Sequence, residues 1–338
     1  MKKVDILDCT LRDGSYLTGF SVTRQATEEV VADLDAAGVK YIEVGHGMGL
    51  GARNKFHSLE TDETYIRAAV SRRKKAMIGC FFIPSFGTKE QIATGRDLGM
   101  DFIRIGSNIT EHESMKPYVD YAKEVGLKVF VNLMKTYAVS PEKLRQVVSD
   151  LVTWKVDTIV LVDSAGCMVP PVLENYLRVC HDFLSDAKFG FHGHNNLQMA
   201  AANTVLAAAH GFAILDSTLR GAGRDAGNTQ TEILIAALEK MDFNTGIDLY
   251  KVLDAAQASE KYFPTERMIT TFSVINGLGN FHSGYSEMFR RISEEESCDL
   301  RDLILMVGRE NCADPTPELV RGIAQDLSRK PKMYSKVG

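Results

Sequence analysis

None of the six cysteines, at positions 9, 80, 167, 180, 298 and 312, forms a CxxC pair. The chain therefore offers neither a disulfide framework nor a thiolate zinc site, and reduced thiols in a cytoplasmic protein are expected. A basic surplus is also missing: 39 Lys and Arg stand against 44 Asp and Glu, for a net charge of −5. Nucleic acid and anionic membrane surfaces select basic faces, so neither is expected as a partner. No 18 apolar residues follow one another without interruption. The most apolar stretch, MAAANTVLAAAHGFAIL, is broken by Asn203, His210 and Gly211 and reads as a helix followed by a strand. The two lysines at the start lead straight into strand-like sequence, without the apolar core of a signal peptide. What remains is ordinary globular composition, 45% hydrophobic and 25% charged.

Short runs rich in β-branched and aromatic residues recur along the first two thirds: VDILDCT (4–10), YIEVG (41–45), AMIGCFFI (76–83), FIRIGS (102–107), KVFVNLM (128–134), TIVLVDS (158–164), FGFHGH (189–194) and AILDST (213–218). Helically spaced segments such as TRQATEEVVADLDAAG and SPEKLRQVVSDLVTW separate them, several closed by glycine. Eight strand–helix alternations predict an α/β fold of the (β/α)₈ TIM-barrel type over residues 1–262. An open doubly wound sheet is the alternative, but it often carries an early glycine-rich phosphate turn that has no counterpart here. Beyond residue 260 strand alternation stops, and residues 263–338 are expected to form a small C-terminal helical domain or lid.

Barrel chemistry gathers at the C-terminal ends of the strands, where the loops are free to build a pocket. Those ends are polar: Arg12-Asp13 after the first strand, Glu43 and His46 after the second, Asp163-Ser164 after the sixth, His192 and His194 at the seventh, and Asp216, Thr218 and Arg220 at the eighth. Histidines two apart on a strand face the same way. Closing the barrel sets the first strand near the seventh, so Asp13, His192 and His194 can converge on one ion. Such a nitrogen and oxygen face suits Mn²⁺, Fe²⁺, Co²⁺ or Mg²⁺. Read blandly, HGH is a solvated turn, Asp13 a helix cap and Arg12 the partner of Asp8 or Glu43. Beside a dication, Arg12 is suited to holding a substrate carboxylate or enolate.

CTLRDGS (9–15), HGHNN (192–196) and GAGRDAGNTQTE (221–232) resemble the signature segments of the TLRD-motif metal-dependent lyases and synthases built on a TIM barrel. Within that group IEVGHGMGL, FIRIGSNITEHE, LVDSAGCM and NGLGNFHSGYSEMFRR are similar to the 4-hydroxy-2-oxovalerate aldolases. The resemblance implies a divalent metal, Mn²⁺ or Mg²⁺ with Co²⁺ or Fe²⁺ as alternatives, on Asp13, His192 and His194, with Asn228 as a further ligand. It implies cleavage or formation of 4-hydroxy-2-oxo acids from pyruvate and an aldehyde, with Asp163 and Ser164 lining the pyruvate pocket and Tyr285 closing over the aldehyde end. A homo-oligomer and an acylating aldehyde dehydrogenase partner are further expectations.

Two departures stand out. Where these aldolases carry a catalytic histidine after TLRDGS, this chain has Tyr16, a poor base at its ordinary pKa near 10. Either Tyr16 is a donor or tuned phenolate, or His46 or His282 is the base, or Tyr16 only shapes the pocket. Second, Arg220 and Arg224 stand where these aldolases have small uncharged residues, so an anionic aldehyde held by one of them is expected unless both pair with acids such as Asp225 or Glu232. The competing readings are a Claisen-type acyl-CoA synthase or lyase and a non-catalytic metal-binding scaffold.

Overall fold

A computed structural model describes residues 2–265 and 270–329; the rest of the expected C-terminal unit, 266–269 and 330–338, lies outside the described residues. Eight parallel strands close into a barrel: β1 Asp5–Asp8, β2 Tyr41–Val44, β3 Met77–Phe82, β4 Phe102–Asn108, β5 Lys128–Met134, β6 Thr158–Asp163, β7 Phe189–Gly193 and β8 Ile214–Ser217. The TIM-barrel expectation holds strand by strand, with bounds shifted by two residues at most. β8 closes against β1, pairing Ile214 with Asp5 through Ser217 with Asp8. A two-residue pair outside the barrel, Lys2–Lys3 with Phe243–Asn244, was not anticipated.

Eight helices cover the barrel: α1 Arg24–Ala37, α2 Asp62–Arg72, α3 Lys89–Asp97, α4 Lys116–Glu124, α5 Pro141–Thr153, α6 Pro170–His181, α7 Ala200–Ala209 and α8 Thr231–Lys240. α5 illustrates their construction. Ser140 caps its first turn by accepting from the Lys143 amide, Pro141 presets φ, and Leu144, Val147, Val148 and Leu151 form one buried stripe. Burying each of those side chains contributes on the order of 2 kcal/mol. Helix α9, Leu249–Ser259, follows, and then α10 Thr271–Leu278, α11 Ser286–Glu295, α12 Leu300–Glu310 and α13 Pro317–Ser328 share a separate apolar cluster centred on Phe281, Phe289, Leu303, Ile304 and Val320. Among the described residues no helix is long and apolar enough to cross a membrane.

Alternation along the strands sorts the barrel interior into layers. Leu7, Tyr41, Phe102, Phe130, Val160 and Ile214 form an apolar floor. Gly79 belongs to this layer because a Cβ there would lie 2.4 Å from the Phe102 ring. Two residues further along most strands the interior turns polar, with Glu43, Arg104, Asn132, His192 and Asp216 all buried, while Cys9, Phe81 and Val162 keep it apolar at β1, β3 and β6. That polar layer carries the mouth of the barrel.

Candidate active site

TLRD forms a single helical turn, Thr10–Asp13, directly after β1, and all four side chains are buried. Arg12 and Asp13 therefore face the barrel mouth together and form an ion pair with each other. From β7, His192 and His194 reach the same point, their ring centroids 5.1 Å apart. The His192 Nε2 lies 3.2 Å from an Asp13 carboxylate oxygen. One ligand atom from each of Asp13, His192 and His194 can be chosen so that all lie within 4.8 Å of one another.

Loop 221–228 completes this group by folding back over the strand ends. His194 and Asn228 form an isolated antiparallel bridge, and the Asn195 amide donates to the Gly227 carbonyl at 2.9 Å. Asn228 is thereby placed to donate from Nδ2 to Asp13 at 2.8 Å, while its own amide oxygen and the His194 Nδ1 are buried without a partner. Two unpartnered lone-pair donors beside a carboxylate and a second imidazole fit a hard or borderline divalent cation.

Under this face runs a closed ring of charges. Arg12 donates from Nε to Glu43 at 2.8 Å, Arg104 donates to the same Glu43 oxygen at 3.0 Å and to Asp216, and Asp216 meets the His192 Nδ1 at 2.9 Å. His192 and Arg12 both meet Asp13 and close the circle. Three carboxylates stand against two guanidinium groups and His192, whose pKa Asp13 and Asp216 raise against burial; with His192 neutral, as a ligating imidazole is, one negative charge is left to complement a cation. Asp216 also sets the second nitrogen of His192, as outer-shell carboxylates do for ligating imidazoles. Burial pushes the Asp13 carboxyl up, but Arg12 and His192 outweigh it and hold it well below the usual carboxylate range. Burial, with Arg224 and His192 adding to it, keeps the His194 imidazole neutral. Cys9, His192 and Asp216 form a second three-residue group; there, burial holds the Cys9 thiol protonated and Arg104 occupies Asp216.

Above the face lies a cavity of about 150 Å³, lined among others by Arg12, Tyr16, Ser164, His192, His194 and His282. Tyr16 fits because residue 47 is glycine; a Cβ there would approach its ring to 2.7 Å. Its hydroxyl donates to the Met48 sulfur at 2.9 Å, and burial, only partly offset by Arg224, holds the phenol above its ordinary pKa. In this structure the side chain is therefore a hydrogen-bond donor, one of the roles expected of it. His282 joins this cavity from the segment after α10, and burial with Arg224 and Lys135 keeps its ring neutral.

Three expected positions fall elsewhere. His46 is stacked on Phe20 at 4.2 Å, with Nδ1 accepting from the Met48 amide and Nε2 against the His57 carbonyl, so both ring nitrogens are engaged outside the cavity. Asp163 accepts from the Cys167 and Met168 amides at 3.0 and 2.9 Å and anchors the turn after β6 without lining the cavity. Arg220 turns away to Glu260 at 2.7 Å and Thr265 at 3.2 Å. Tyr285 stands at the rim, its hydroxyl 2.8 Å from the Lys135 Nζ. Arg104 and Lys135 escaped the sequence reading. Arg104 was legible in principle, since FIRIGS places it on the same strand face as Phe102; Lys135 lies one residue past a strand and has no spacing to mark it.

The HMGL-like family model matches residues 3–258. A "4-hydroxy-2-oxovalerate aldolase" of Pelotomaculum thermopropionicum is 34% identical over 329 residues, covering 97% of both chains. Another of that name from Pectobacterium atrosepticum is 33% identical over 333 residues, again covering 97% of each. In three dimensions the HMG-CoA lyase of Bacillus subtilis superposes with a TM-score of 0.68 at 19% identity, covering 81% of this chain and 97% of its own, a likeness of fold. Because the family match takes in every strand of the barrel together with the TLRD turn, the HGH strand end and the loop that carries Asn228, this chain belongs to the HMGL-like family.

Proposed function

We propose that the chain is a divalent-metal-dependent pyruvate aldolase that cleaves or forms 4-hydroxy-2-oxo acids, with Asp13, His192, His194 and the amide oxygen of Asn228 holding Mn²⁺ or Mg²⁺. The observation that carries this reading is the convergence of those donors on one buried point next to Arg12. When bound there, the cation would supply Lewis-acid polarisation of the 2-oxo and carboxylate oxygens. A cavity of about 150 Å³ suits a short-chain acid better than a pantetheine arm, which favours the aldolase over an acyl-CoA synthase.

The residues around the face divide the remaining work. The Arg12 Nε and Nη1 are committed to Glu43 and Asp13, which fixes the guanidinium plane above the Phe81 ring, 4.8 Å from its centroid. Its Nη2 is left to meet the enolate oxygen that develops as C3–C4 breaks. Ser164 accepts from the Lys135 amide at 2.9 Å, so its own hydroxyl proton is available to the substrate carboxylate. His282, neutral and at the cavity wall, takes the 4-hydroxyl proton, and Tyr16 donates to the aldehyde oxygen. Helices α10 to α13 and the segment between α10 and α11 act as the lid that brings His282 and Tyr285 to the barrel. The released aldehyde would pass to an acylating dehydrogenase.

The test incubates the protein and Mn²⁺ with 4-hydroxy-2-oxo acids of several chain lengths and couples pyruvate release to lactate dehydrogenase. Metal-dependent pyruvate that disappears with chelator and in His194→Ala is expected. Absence of metal-dependent pyruvate with every acid would sink the proposal.

A further inference from the structure

Two cations in the cavity have no work in the reaction described above. Lys135 lies immediately after β5 in the left-handed backbone region, φ 55°, and is 5% exposed. A lysine held in that conformation carries strain that a glycine would not. Its ammonium donates to the Tyr285 hydroxyl at 2.8 Å and to the Ala313 carbonyl. The nearby acid, Asp314, meets the Tyr285 hydroxyl at 3.2 Å rather than the ammonium. Arg224 comes from the loop after β8 and sits over the Tyr16 ring, 5.8 Å from its centroid. The acid beside it, Asp225, is turned away to Asn196 at 2.7 Å and Asn276 at 3.3 Å. The Arg224 Nε is buried without a partner. Among the described residues neither cation has a carboxylate within ion-pair distance, and no carboxylate lines the cavity they share with Arg12.

Buried positive charge without a counterion is expensive, because neither water nor a carboxylate compensates it. Arg12 has both Glu43 and Asp13; the buried Lys135 and the half-buried Arg224, whose Nε is enclosed, have only neutral acceptors and a ring face. A methyl-terminated aldehyde would leave them so. We propose that Lys135 and Arg224 form an anion subsite, and that the substrate carries a second anionic group, a carboxylate or a phosphate, beyond C4. This rests on the aldolase reading and deepens it: the retro-aldol step still moves the 4-hydroxyl proton to the base and the C3–C4 electron pair to the pyruvate side, and the aldehyde that leaves carries the terminal charge. The anion that the sequence assigned to Arg220 or Arg224 is thus received by Arg224 with Lys135.

The experiment measures kcat/KM for 4-hydroxy-2-oxo acids ending in carboxylate or phosphate against neutral amide- or hydroxyl-ended analogues, in parent, Lys135→Met and Arg224→Met proteins. The parent is expected to prefer an anionic end by about 100-fold, consistent with the ~1.5–3 kcal/mol of a hydrogen bond to a charged group, and each variant to cut that ratio at least tenfold. The carboxylate and phosphate arms show which end is preferred; preference for either supports the subsite. A ratio near one in the parent, or one unchanged in both variants, overturns it. Calorimetry with succinate against succinamide separates this from the aldolase reading. Succinate binding lost in Arg224→Met supports the subsite even if no acid yields pyruvate; pyruvate formation with no charge preference and no succinate binding refutes the subsite alone. Melting curves of both variants establish that they fold.

Discussion

Replacing Arg104 by methionine would remove the positive centre of the ring beneath the active site. Arg104 is fully buried, and its guanidinium holds Glu43 at 3.0 Å, Asp216, and the Cys9 sulfur at 3.1 Å. Methionine fills most of the volume, so the loss is chiefly electrostatic: two carboxylates would face each other in the barrel, Glu43 keeping Arg12 and Asp216 keeping only His192. Removing one partner of a buried pair costs about 3–5 kcal/mol, a large fraction of the ~5–15 kcal/mol typical of a folded domain. The assay is urea unfolding of the chelator-treated protein followed by circular dichroism. The cycle of Arg104→Met, Glu43→Gln and the double variant isolates the pair. Because Glu43→Gln removes one of the exposed charges, the double variant should lose at least ~2 kcal/mol less than the sum of the singles. Mn²⁺ affinity, read by calorimetry, should fall about 10–100-fold in Arg104→Met despite the added negative charge, because Asp216, no longer fixed by Arg104, would orient the His192 imidazole less rigidly. A loss under about 1 kcal/mol in Arg104→Met, or energies that add within about 0.5 kcal/mol, would refute the account of the ring.

Asp13→Asn should abolish tight Mn²⁺ binding in calorimetry; retained submicromolar affinity would remove Asp13 from the ligand set. His46→Gln should leave pyruvate turnover within about threefold of the parent, because both ring nitrogens face backbone outside the cavity; a hundredfold drop would return it to the reaction. Tyr16→His would place an imidazole where Tyr16 now only donates and is expected to raise kcat on neutral acceptors, and an unchanged kcat would argue that proton removal does not limit the step. Asp8 gives a pH prediction. Burial, beyond what its bonds from the Thr10 amide and the Thr231 hydroxyl offset, raises its carboxyl to about 6, against an unfolded value of about 3.9. A raised carboxyl favours the protonated folded state, so its contribution is greatest below about pH 4 and is lost as pH rises through 6, by up to about 3 kcal/mol. In urea unfolding Asp8→Asn should gain on the parent between pH 4 and 7; a difference independent of pH would contradict this.

The eight strands were legible because each is a compact β-branched run between helical stretches, and the meeting of Asp13, His192 and His194 was legible because TLRD and HGH each stand at the end of a strand. Arg220 and Arg224 show where that stops. They lie four residues apart in one glycine-rich loop, and only its fold-back onto β7, fixed by the bridge between His194 and Asn228, sends Arg220 outward to Glu260 and Arg224 over the cavity. His46 and His282 differ in the same way, one locked against backbone and the other admitted to the pocket by the turn at Gly284. By itself the sequence determined the barrel, because hydrophobic periodicity and β propensity act over a few residues, and it determined that His192 and His194 share a face, because strand alternation aligns residues two apart. Only the tertiary structure decided the charge ring and the choice of cations in the cavity. Those depend on contacts between residues from 31 to 112 positions apart, such as Arg12 with Glu43 and Arg104 with Asp216, whose strength comes from a shared burial that no single segment encodes.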